Sequence, residues 1–94
     1  MAALLVENTV ADFDTWLPNF ESMAPYRASY GITAALVWQD SGNPSHIFVL
    51  LKHPDSEALR RFTEDPQTAE NMKAAGVVSK PVFHFLGEGR KYEN

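Results

Sequence analysis

The chain opens on a short apolar run, Ala2 to Asn8, closed by polar residues. The run is too brief for a helix of ordinary length and reads as a first strand, apolar enough to be buried on both faces. The rhythm then changes. Phe13, Trp16, Leu17, Phe20, Met23 and Ala24 recur at spacings of three and four, which puts them on one side of a helix. Asp12 or Asp14 caps that helix. With Asp14 as the cap, Pro18 falls near the first turn, where a missing N–H matters least, and Pro25 weakens or ends the helix.

Gly31 opens a second extended run, Ile32 to Gln39, rich in the branched and aromatic residues that favour strands. Asp40 to Ser45, with Gly42 and Pro44, has the punctuation of a hairpin loop, and His46 to Lys52 returns as an antiparallel third strand. His53, Pro54, Asp55 and Ser56 stop that strand and start a helix, capped by Asp55 or Ser56, with Ala58, Leu59 and Phe62 facing inward. A second helical piece follows, capped by Asp65 with Pro66 in its first position. Ala69 and Met72 face the core, and Gly76 ends the piece in the left-handed conformation. A last strand from about Ser79 to Leu86 precedes a polar tail, residues 87–94.

Strand, helix, strand, strand, helix pair, strand is the split βαβ order, so the expected fold class is α+β: a ferredoxin-like βαββαβ domain with a four-stranded antiparallel sheet. Such a sheet carries its helices on one face. Yet Ile47, Val49 and Leu51 alternate with Phe48 and Leu50, and Pro81, Phe83 and Phe85 alternate with Val82, His84 and Leu86, so both parities are apolar. A face left to water would alternate with polar residues. The expected resolution is a homodimer through the outer sheet face, because a monomer would expose a large apolar patch.

Composition narrows the picture. Ninety-four residues, 45% of them hydrophobic, make one globular domain over residues 1–94. A net charge of −4 with scattered Lys and Arg gives no basic stripe, so nucleic acid is not an expected partner. Cysteine is absent, which excludes disulfides and thiolate metal sites and makes the cytoplasm the default address. No basic residue precedes the first apolar run and Glu7 interrupts it, so neither a signal nor a membrane segment is expected.

Three stretches carry a resemblance to a known group. They are Asp12-Phe13-Asp14-Thr15-Trp16 at the first helix, Phe62 through Pro66 in the broken second one, and Ala74-Ala75-Gly76-Val77 followed by Pro81 before the last strand. With the element order, they resemble the stand-alone dimeric α+β barrel proteins, the superfamily that includes antibiotic-biosynthesis-monooxygenase-like domains. The resemblance implies a dimeric α+β barrel with a pocket in each subunit between helices and sheet. It also implies a range of chemistries: cofactor-independent monooxygenases of polycyclic aromatics, haem-degrading enzymes, isomerases and cyclases, and domains without assigned activity. Asn8 matches the first-strand Asn of the haem-degrading branch, but that branch takes its axial His from a helix, and no predicted helix here contains His. For the monooxygenase branch the resemblance suggests Asn8 and Trp38.

His84, between Phe83 and Phe85, is the leading candidate for a general base, against the alternative of a hydrogen-bonded core or interface histidine. Asn8 joins it as a candidate catalytic residue. Trp16 and Phe20, four apart, are read as walls of an aromatic pocket or simply as core, with Trp38 closing the pocket from the sheet. Tyr26, Tyr30, Arg27 and Arg60 are candidates for its mouth, where a guanidinium suits a carboxylate or enolate. His46 and His53 bound the third strand and are expected to face solvent. No metal-ligand spacing, phosphate loop or nucleophile with an adjacent base occurs, so any catalysis is expected to need no cofactor. The expected function is binding of a hydrophobic or aromatic small molecule, as a cofactor-independent monooxygenase or cyclase of secondary metabolism. The alternative is a non-catalytic binding or interaction module.

Overall fold

Hydrogen bonding along the chain sets eight elements, seen in a computed structural model that describes residues 2–94. In order they are β1 (Ala2–Thr9), α1 (Phe13–Ser22), α2 (Ala24–Ser29), β2 (Ala34–Asp40), β3 (Asn43–His53), α3 (Ser56–Glu64), α4 (Pro66–Ala74) and β4 (Val82–Leu86). The sheet is antiparallel throughout in the order β2-β3-β1-β4, as the ferredoxin-like order requires. Helices cover one of its faces.

Strand parity decides what each face carries. On β1, Ala2, Leu4, Val6 and Asn8 are buried while Ala3, Leu5, Glu7 and Thr9 are half-buried, so the strand is not enclosed on both sides as its composition suggests. Val6 pairs with Val49 and Phe83, and Val49 with Val37, which places this set under the helices. Leu5 pairs with Leu50 and His84, and Leu50 with Leu36, on the outer face. Leu4, Ile47, Leu59 and Val10 are the largest fully enclosed side chains.

Asp12, one of the two expected caps, closes the start of the first helix, accepting from Thr15 N at 3.1 Å and from Thr15 Oγ1 at 2.6 Å. With Asp12 rather than Asp14 as the cap, Pro18 lies in the helix interior and not near the first turn. The helix breaks at Met23 and restarts as α2, with Pro25 in the new first turn, where its ring fits. Ala24 is exposed, because the new helix axis turns it away from the core.

The β2–β3 loop is a tight turn: Asp40 Oδ2 accepts from Gly42 N at 3.0 Å, so pairing begins at Asn43 and the loop is shorter than Asp40 to Ser45. The second strand begins at Ala34, and the last at Val82. Ser79 precedes the last strand, its Oγ accepting from Thr9 N at 2.8 Å. Asp55 and Asp65 cap α3 and α4 as expected, accepting from Glu57 N at 3.0 Å and Gln67 N at 2.9 Å. On α4 the inward residue is Thr68 rather than Ala69, because the Thr68 hydroxyl finds Tyr26 Oη at 2.7 Å and can be buried without loss.

One junction locks α2, β3 and α3 together. Gly31 has φ +82°, and a Cβ there would meet His53 Nε2 at 2.8 Å. His53 Nδ1 accepts from Asp55 N at 2.8 Å, which leaves Nε2 to carry the proton donated to Tyr30 O at 2.8 Å. His53 is therefore a half-buried connector, not the solvent-facing residue its position suggests.

Candidate functional site

Between the helices and the inner sheet face lies a cavity of about 70 Å³. Its floor is Val6, Asn8, Val49 and Leu51 on β1 and β3. Trp16 and Phe20 wall one side, stacked with centroids 4.9 Å apart, as the spacing of four on α1 dictates. Phe62, Thr68 and Met72 bring α3 and α4 to the other side, and Met23, Tyr26 and Arg27 stand where α1 gives way to α2. The break at Met23 thus adds Tyr26 and Arg27 to a largely apolar cavity whose other polar side chains are Asn8, Thr68 and Asn71.

Two polar groups in it stand out. Asn8 is 4% exposed, and its Oδ1 is buried with no hydrogen-bond partner. Native proteins pair nearly all such atoms, so an orphan on a cavity floor marks a place where something else supplies the donor. Arg27 is half-buried. Its Nη1 donates to Phe20 O at 2.7 Å, and its guanidinium lies 3.8 Å from the Phe20 ring centroid, extending the Trp16–Phe20 stack with a cation. Burial lowers its pKa from the ordinary guanidinium value.

The sequence candidates divide across the sheet. Asn8, Trp16 and Phe20 line the cavity. His84 does not: paired with Leu5, it lies on the outer face, so it and Asn8 do not meet at one site. There its Nε2 is 2.8 Å from Glu7 Oε1, while His46 Nε2 is 3.3 Å from Glu7 Oε2. The hydrogen bond from His84 is the first cause holding the Glu7 carboxyl below its ordinary value. His46 is thus a half-buried partner of Glu7 rather than a free surface residue. Trp38 pairs with Phe48 and is 49% exposed on the outer face, so it does not close the cavity.

Tyr30 stands beside the cavity, not in it. Its hydroxyl donates to Asp65 Oδ2, its ring meets Phe62 edge-on at 5.4 Å, and the Asp65 contact pushes its pKa up to about 12. The same bond lowers the Asp65 carboxyl. Arg60 lies 4.6 Å over the Phe85 ring near the β4 edge, away from the cavity, because α3 directs its inner face through Ala58, Leu59 and Phe62. Among the described residues no group of His, Cys, Asp and Glu is arranged to hold a metal ion, and no helix is long and apolar enough to cross a membrane.

No protein-family model matches the chain, and no curated protein matches it in sequence. Solved structures do match in fold. An antibiotic biosynthesis monooxygenase superposes with TM-score 0.70 at 14% identity, covering 96% of this chain and all of that one (100%). A cofactor-independent oxygenase, SnoaB from Streptomyces nogalater, gives 0.73 at 13% identity over 99% and 97% of the two chains. A conserved protein from Methanosarcina mazei Go1 gives 0.71 at 13% identity over 94% and 92%. The fold is that of the antibiotic-biosynthesis-monooxygenase-like proteins, the α+β barrel group that the sequence resembles.

Proposed function

We propose that this chain binds a hydrophobic, aromatic small molecule in the cavity beneath α1 and α2, and acts on it as a cofactor-independent oxygenase. The observation that carries this reading is the unpaired Asn8 Oδ1 at the base of a cavity walled by stacked Trp16 and Phe20. An apolar cavity with a few convergent polar groups is the usual form of a small-molecule site. The fold shared with a cofactor-independent oxygenase supports the reaction class.

In cofactor-free oxygenation the substrate supplies the electrons. An electron-rich carbanion or enolate reduces O2; one oxygen atom enters the substrate as a carbonyl and the other leaves as water with the two hydrogens of the original methylene. Asn8 would orient the substrate by accepting from a hydroxyl, and the aromatic walls would exclude water. Neither His84 nor any carboxylate lines the cavity, so proton transfer falls to the substrate's own acidity or to the Tyr26 hydroxyl, which does line it.

The cavity is about half the ~150 Å³ that takes up benzene in an apolar protein interior, so ring binding requires side chains to yield. Met23 and Met72 are the adaptable ones. A volume this small also favours a second reading, binding without turnover. Oxygen uptake with 1,8-dihydroxyanthrone, measured without added metal or flavin, separates the two. Uptake lost in Asn8→Ala establishes the oxygenase, whereas binding with no uptake establishes the module.

We further propose that the outer sheet face pairs with a second copy of the chain. Leu36, Trp38, Val82 and Leu86 are exposed there, continuous with Leu5, Phe48 and Leu50. Sedimentation measurements over a concentration series test this, and a monomer throughout would remove it.

A further inference from the structure

We propose that the cavity selects an anion: an aromatic acid whose carboxylate or ionised hydroxyl pairs with Arg27 while a neighbouring donor satisfies Asn8 Oδ1. This rests on the reading of the cavity as a ligand site and adds to it the charge of the ligand and the residue that recognises it.

Arg27 lacks a counter-ion among the described residues. A guanidinium has five N–H donors, of which one, on Nη1, is committed to Phe20 O. Ion pairs among the described residues join His46 and His84 to Glu7, Arg60 to Glu57 and Lys91 to Glu93; none reaches Arg27. Exposed cations routinely stand alone, but this one is half-buried and its burial already disfavours the charged form. A partly desolvated cation without a counter-ion is costly, and the cavity it lines is where a counter-ion can sit.

Placement strengthens the case. Trp16 and Phe20, stacked with centroids 4.9 Å apart, lead to the Arg27 guanidinium, which lies 3.8 Å from the Phe20 centroid. A planar ligand lying beside Trp16 and Phe20 therefore meets a cation, and the bond that Arg27 Nη1 donates to the Phe20 carbonyl fixes the guanidinium plane in advance. Asn8 Oδ1, an acceptor without a donor, adds a second requirement, a hydroxyl or N–H on the same molecule. Together they describe a hydroxyaryl acid or its phenolate. Where the anion is the ionised hydroxyl, it also explains how a cavity without His or carboxylate handles an electron-rich substrate: that proton has left before binding, and Arg27 holds the charge.

Calorimetric titration of the full chain with salicylate and with salicylamide, at one pH and ionic strength, tests this directly, since the two differ in charge and share the hydroxyl. Wild type should prefer salicylate by about tenfold or more. Arg27→Met should bring the ratio near one while salicylamide binding is kept, an outcome that a purely structural Arg27 would not give. If Arg27→Met fails to fold, Arg27→Gln, which retains an N–H for the Phe20 carbonyl, must show the same loss. Equal binding of both probes by wild type, or a preference that survives the variants, overturns the anion assignment and leaves the cavity as a site for neutral ligands. Binding of neither probe by wild type overturns the ligand-site reading and this inference with it.

Discussion

Glu7 and Asn8 are neighbours on one strand, and the pleat sends them to opposite faces of the sheet with opposite fates. Glu7 carries a charge and stays half-buried, with a histidine on each carboxylate oxygen. Asn8 is neutral and nearly fully buried, yet its oxygen has no partner. The charged residue is thus the satisfied one. On the outer face this polar cluster is paired within the subunit and the surface around it is largely apolar, as the proposed pairing with a second copy requires. The inner face holds an unmet requirement inside a cavity, as a binding site demands.

A carboxylate placed on each face in turn should have opposite consequences for folding and for assembly. Val49 is buried beneath the helices, so Val49→Asp should cost more than about 4 kcal/mol and unfold the domain, seen as loss of the cooperative urea transition. Its neighbour Leu50 points outward. Leu50→Asp should leave the monomer folded while raising the dimer dissociation constant about 30-fold or more, read by sedimentation. Similar behaviour from both variants would erase the distinction between the faces.

Asn8→Leu tests the inner face from the other direction. Replacing a buried, unpaired oxygen with an apolar group of similar branching, the extra bulk taken up by the cavity, should stabilise the domain by about 1–2 kcal/mol in urea and weaken salicylate binding at the same time. Asp65→Ala removes the α4 cap together with the Tyr30 contact, and should cost about 1 kcal/mol by thermal unfolding.

The smallest effect concerns the outer face in acid. A carboxyl whose folded pKa lies below its unfolded one adds stability above the unfolded value and gives it up as pH falls through the folded one. Glu7 is lowered, first by its bond to His84. The wild-type urea midpoint should therefore fall more steeply with pH below the ordinary carboxylate range than that of Glu7→Gln. Parallel curves would mean that the two histidines do not hold the carboxylate in solution.

This division between faces also marks where the sequence stops being informative. Element order, the caps at Asp55 and Asp65 and the inward set on α3 follow from local pattern, because each depends on residues a few positions apart. The face to which His84 points does not. With Phe83, His84, Phe85 and Leu86 consecutive, hydrophobicity fits either parity, and only the pairing of Leu5 with His84 decides it. Glu7 with His46 and His84 is a cluster assembled by register across three strands, at separations no spacing rule reaches. Arg27 was visible as a mouth candidate but not distinguishable from Arg60. What separates them is the helix break at Met23, and Pro25 alone leaves open whether a helix ends there or begins again. Trp38 misled for the same reason as His84, since its strand is apolar on both sides.

The junction at Gly31 bears on how such a chain can diverge. Its backbone conformation already disfavours any side chain, and the His53 ring fills the space that one would need. A lineage that replaced the glycine first would strain the turn and press on the imidazole at once. One that replaced the histidine first would give up the bridge between Tyr30 and Asp55 but leave the glycine intact. The two positions therefore have an order of exchange: drift enters through residue 53, and residue 31 is free to follow only after the turn itself has been rebuilt.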